Sequence, residues 1–169
     1  MQMYERTTNE QPWLPAPPMV NVALSLAQVV VALALVVLNG FFVAAEFAFV
    51  RIRGTSVEQL VDEGRPGSGT LQEVMVELDY YLATTQLGIT IASLGLGWVG
   101  EPAVASLIEP VLAPILPPDL IHLVAFAIGF SLITFLHVVF GELAPKTLAI
   151  AKTERLSLFL APPMKVFYY

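Results

Sequence analysis

The stretch IHLVAFAIGFSLITFLHVVFGELAPKTLAI, Ile121 to Ile150, runs through 20 mainly apolar residues and then sets a glycine, a glutamate, a proline and a lysine within six positions. A helix crosses a bilayer core with roughly 20 apolar residues. Ile121–Phe140 is therefore predicted to span a membrane. Pro145 has no backbone N–H, so continuing the helix through it frees a carbonyl upstream, near Gly141, where glycine itself weakens the helix. At membrane depth a freed carbonyl is tolerated only where protein or a cavity receives it.

The rest of the chain agrees. Over 169 residues the apolar fraction is 56%, only 13% of residues are charged, and mean hydropathy is +0.73, outside the soluble range. Met19–Val50 is long enough to cross with tilt, and Leu82–Gly100 is a further span, polar enough with its threonines, serine and glycines to pack inside a bundle. Ala103–Leu116 is short and interrupted by Pro110 and Pro114, which predicts a re-entrant or surface element rather than a crossing. Val57–Leu82 mixes acids with Leu, Val and Met around a Gly/Pro break, as two short interfacial amphipathic helices would. The expected fold is all-α and integral to the membrane, with three transmembrane helices and short juxtamembrane helices.

Basic residues orient it. Arg51, Arg53 and Arg65 follow the first span, and Lys146, Lys152, Arg155 and Lys165 follow the third. Glu101–Asp119 holds none. The positive-inside rule then puts the C-terminus in the cytoplasm and the N-terminus outside. The expected organisation is an extracellular Pro-rich leader over 1–18, a membrane domain over 19–160, and the start of a truncated cytoplasmic linker over 161–169. The acidic, Pro-rich beginning does not resemble a secretory signal. A net charge of −6 disfavours nucleic acid, and the absence of cysteine excludes disulfides and thiolate metal sites.

Ionisable and polar groups inside spans are candidate sites by default. Glu142 places a carboxylate beside the carbonyl freed near Gly141, and such oxygens, joined by hydroxyls and amides, suit a hard cation such as Mg²⁺. The competing reading is a helix end with an interfacial Glu142/Lys146 pair. Glu46 lies either in the site or at the headgroups near Arg51. Asn39-Gly40 marks a helix interruption or a tight packing point, with the Asn39 amide serving a cavity or an interhelical hydrogen bond. Gln86, Thr90 and Ser93 share one face of the second span, loosely flanked by Gly88 and Gly95, which is either ion-lining or small-residue packing. His137 is expected to be a hydrogen-bonding bundle residue, because a distant His122 and the His137/Glu142 spacing do not make a zinc motif. No nucleophile with a base and no phosphate loop is present, so no enzyme is expected.

Three motifs in register, LNGFFVAAEFAFVRIR (Leu38–Arg53), TTQLGITIASLGLGWVGEP (Thr84–Pro102) and HVVFGELAPKTLAI (His137–Ile150), resemble the transmembrane domain of the CNNM/CorC family of magnesium transporters from about Val20 onward. The resemblance implies a homodimer in the plasma or inner membrane, with a mid-membrane site for dehydrated Mg²⁺ and export coupled to Na⁺. It also implies cytoplasmic CBS-pair domains in the full-length protein, absent from this chain. Gly141, Glu142, Pro145 and Lys146 match the family's kinked element, which contributes cation ligands, and Gly88 through Ser93 match its second-span face. Two positions depart. Val43 stands where a serine ligand is frequent, and Ile89 where asparagine is frequent. The remaining oxygens are those of Asn39, Glu46, Gln86, Thr90 and Ser93. The competing functions are a non-transporting membrane scaffold or sensor, and a transporter of another cation.

Overall fold

A computed structural model describes residues 22–168. The expected leader over 1–18 lies outside the described residues. Among those described the chain is all helical: α1 (Val22–Arg51), α2 (Gly54–Asp62), α3 (Ser68–Val76), α4 (Leu78–Leu112), α5 (Pro118–Leu136), a π-helical segment (His137–Leu143), α6 (Ala144–Ala151) and α7 (Thr153–Tyr168). Three units are long and apolar enough to cross a membrane: α1, α4, and the continuous run from Pro118 to Ala151.

One expectation about element boundaries is corrected. Ala103–Leu116 is not a separate re-entrant piece, because α4 carries the second span onward through Pro102 and Pro110 to Leu112 in one helix of 35 residues. Each proline removes one ladder bond, but flanking turns against neighbouring helices hold the axis: Ala103, Val104 and Ala105 are buried there. Helix α7 continues to Tyr168, with Ala161 and Met164 fully buried.

The helix α1 packs mainly against α4, and α4 against α5. One apolar core lies along the first half of α1, where Ala32 and Val36 meet Leu96, Val104 and Ile133. A larger one lies at the other end, where Phe42, Ala45 and Phe49 of α1 meet Leu71, Val74, Tyr81, Leu160 and Met164. The juxtamembrane helices therefore close the bundle at the basic end. Their turn depends on glycine: Gly64 and Gly67 adopt φ of 64° and 86°, which L side chains rarely do. A Cβ at Gly67 would also meet the Leu158 carbonyl at 2.8 Å, so the turn lies directly on α7.

Candidate cation site

At α-helical spacing the carbonyl opposite the missing N–H of Pro145 is that of Gly141, four residues upstream. The chain answers the break in two ways. The helix widens into a π turn from His137 to Leu143, and α6 restarts with Pro145 in its first turn, where a missing N–H costs little. The Gly141 oxygen then accepts a hydrogen bond from Asn39 Nδ2 at 3.0 Å. Asn39 is fully buried. Glycine is required on both sides of this contact. A Cβ at Gly141 would press on Asn39 Nδ2 at 3.2 Å and the His137 ring at 3.0 Å, and one at Gly40 would meet Pro145 Cγ at 3.0 Å and the Phe140 carbonyl at 3.1 Å. Asn39-Gly40 is thus a packing point, and α1 runs through it without interruption.

The other end of the amide is also engaged. Ser93 Oγ donates to Asn39 Oδ1 at 3.2 Å, and the same hydroxyl lies 3.2 Å from His137 Nε2. With the single serine proton given to Asn39, His137 donates from Nε2. That nitrogen is 3.7 Å from Glu142 Oε1. All three spans therefore contribute to one chain of polar atoms: the Gly141 carbonyl, the Asn39 amide, the Ser93 hydroxyl, the His137 imidazole and the Glu142 carboxylate. The innermost members are buried, while the Glu142 side chain is 48% exposed.

The remaining candidates sit elsewhere. Gln86 Nε2 reaches Glu46 Oε1 at 3.4 Å, a second polar contact seven residues along α1 from Asn39, or about 10 Å at the helical rise. Thr90 is exposed and donates to the Gln86 carbonyl of its own helix at 2.8 Å, a local back-bond that keeps it out of the cluster. Lys146 does not hold Glu142, and its Nζ lies 4.4 Å from the centroid of the Phe47 ring, whose face attracts a cation. Gly88 is a notch: a Cβ there would fall 2.5 Å from the Phe42 ring. His137, expected only to hydrogen-bond within the bundle, does so inside the cluster, and its spacing of four residues before Gly141 was the available signal.

Val43 is buried in α1, and Ile89 packs partly buried against the larger core. Each lies four residues, one helical turn, from a member of the cluster: Val43 from Asn39, and Ile89 from Ser93. Among the described residues no three His, Cys, Asp or Glu side chains gather as a metal centre. Whatever cation the cluster could take would be held by one carboxylate and neutral oxygens, a hard donor set suited to weak, reversible binding of cargo.

The family model described as the cyclin M transmembrane N-terminal domain, CNNM, matches residues 30–169. The chain is 50% identical over 135 residues to the UPF0053 protein YhdT of Bacillus subtilis, covering 79% of this chain and 29% of that protein. It is 42% identical over 146 residues to YhdP of the same organism, covering 86% and 33%. It is 38% identical over 143 residues to the uncharacterized protein Rv1841c of Mycobacterium tuberculosis, covering 84% and 40%. The chain thus spans about a third of the length of these relatives. With three apolar crossings, the broken third span and this match over most of its length, the chain belongs to the CNNM transmembrane-domain family of multi-pass membrane proteins.

Proposed function

We propose that this chain is the membrane domain of a divalent-cation transporter whose cargo is Mg²⁺, exported from the cytoplasm in exchange for Na⁺. The observation that carries the proposal is the break in the third span. The Gly141 carbonyl accepts a hydrogen bond from Asn39 at that break, next to Ser93 of the second span and beside the Glu142 carboxylate, which pairs with no Lys or Arg among the described residues. Releasing backbone oxygen at membrane depth is costly unless something uses it. In this reading Asn39 and Ser93 supply the oxygens that Val43 and Ile89 lack, one turn along each helix, and Glu142 supplies the charge. Glu46 and Gln86 form a second station on the path. The protein works as a homodimer, with the basic end of the bundle facing the cytoplasm, and CBS-pair domains follow in the full-length protein.

Titration calorimetry of the purified protein with Mg²⁺, Ca²⁺ and Na⁺ tests this. Saturable Mg²⁺ binding at micromolar to millimolar concentration is expected, and Glu142→Ala should abolish it. Absence of binding by the unmodified protein would sink the proposal. A second reading, a scaffold whose polar groups only join helices, is favoured by the fact that every buried side-chain polar atom among the described residues already has a partner. It expects Glu142→Ala to alter stability while Mg²⁺ flux into liposomes stays unchanged.

A further inference from the structure

The turn between α2 and α3 and the outward face of α7 enclose a groove of about 640 Å³ lined by Arg65, Gly67, Arg155, Leu158, Phe159 and Pro162. We propose that this groove binds an anionic phospholipid, with its phosphate between Arg65 and Arg155 and its glycerol and upper acyl carbons along Leu158 and Phe159.

Charge is the first argument. The chain has 14 acidic and 8 basic residues, yet no carboxylate lines this groove. Neither guanidinium takes part in an ion pair among the described residues, although Lys165 on the same helix is paired with Glu73. Guanidinium is the side chain suited to forked recognition of phosphate oxygens. Lys152 and Arg155 also line a neighbouring cavity that includes Glu154, and Arg51 and Arg53 line another with Ser56 and the same Glu154. The groove therefore belongs to a belt of arginines and lysines interspersed with acids at one end of the spans, and it has no carboxylate of its own.

Depth is the second. Helix α2 begins three residues after α1 ends, and α7 begins two residues after the third span ends, so the groove lies at the level where spans leave the membrane. Phe159 and Val166 of α7 are 72% and 78% exposed. Large apolar side chains beside arginines are the pattern of a helix lying in the headgroup layer. A free phosphate compound would use the two arginines and leave the Phe159 wall unused, whereas a phospholipid uses both.

The groove is also preformed. Gly67 lies against the Leu158 carbonyl with no room for a Cβ. On its inner side α7 is fixed to α1 by Ser157 Oγ donating to the Ala48 carbonyl at 3.2 Å, and by fully buried Ala161 and Met164. Little ordering is left for a ligand to impose.

Native mass spectrometry of the detergent-purified protein, titrated with phosphatidylglycerol or with phosphatidylcholine of the same acyl chains, tests the proposal. Phosphatidylglycerol should bind tighter, and Arg65→Gln and Arg155→Gln should each weaken it about fivefold and narrow its advantage over phosphatidylcholine. The two lipids binding alike to the unmodified protein would overturn the proposal without any variant. Glycerol 3-phosphate displacing the lipid at equal concentration would overturn it in favour of a soluble phosphate ligand. Glutamine variants that keep full helicity by circular dichroism and full phosphatidylglycerol preference would move the site elsewhere on the belt.

Discussion

Toward the start of the third span the helices meet through side chains that are small or missing. Ala32 and Ile133 crowd the place of a Cβ at Gly100, each at 3.2 Å, and a Cβ at Gly129 would meet the backbone of α4 at Ala105 N and Glu101 O, 3.1 and 3.2 Å away. Around Asn39 the same three spans meet through polar atoms that complete one another. In the first region closeness is the interaction, so added volume is what breaks it. In the second, geometry is set by a donor and an acceptor, and a side chain of equal size without the donor is as damaging as a smaller one.

Gly129→Val should break the comparison hardest. Its new Cβ opposes backbone, which cannot swing aside, and overpacking of this kind costs about 3 kcal/mol. Loss of folded protein in a thermal or denaturant melt is expected, and a melt unchanged from the parent would mean the two helices separate freely here. Asn39→Leu keeps the volume and removes the donor to Gly141, a buried hydrogen bond whose loss costs about 2 kcal/mol. Asn39→Ala should fall in the same range in the same melt, and a leucine variant as stable as the parent would show that size, not the amide, matters at this position. Ser25→Ala is the sharpening control, a polar contact placed in the apolar region. Ser25 and Ser106 hydroxyls lie 2.9 Å apart, but Ser106 also donates to the Ala103 carbonyl at 2.8 Å and stays satisfied alone. About 0.6 kcal/mol is expected, and a loss as large as that of Asn39→Leu would erase the distinction between the two regions.

Hydropathy made the three spans and the two interfacial helices legible, because those depend on run length and local pattern. The break at Gly141 was legible too, since the missing N–H of Pro145 has a fixed consequence four residues away. Its partner was not, because Asn39 lies 102 residues earlier and no local rule connects them. Gln86, Thr90 and Ser93 share a face by spacing, but only Ser93 joins the cluster. Spacing fixes angle around a helix and says nothing of how far along it a neighbour passes. The continuity of α4 was hidden for a related reason: Pro102 and Pro110 read locally as interruptions, and the helix through them is held by packing of Ala103 to Ala105.

The third span carries a ladder with a rung at every fourth residue: Ala125, Gly129, Ile133, His137, Gly141, Pro145 and Ala149. All but His137 and Pro145 are buried. Four residues overshoot one α-helical turn by about 40°, so the ladder winds around its own helix. Its early rungs, Gly129 and Ile133, press on α4, and its later rungs, Gly141 and Pro145, on α1. Of these rungs only Gly141 combines the absence of a Cβ with a carbonyl that accepts from the Asn39 side chain. Sliding the helix by one rung, about 6 Å, would set an imidazole or a pyrrolidine ring where Asn39 has room for a hydrogen atom. The ladder therefore acts as a key with a single notch, and any motion of this span against α1 has to begin by lifting that notch off the asparagine.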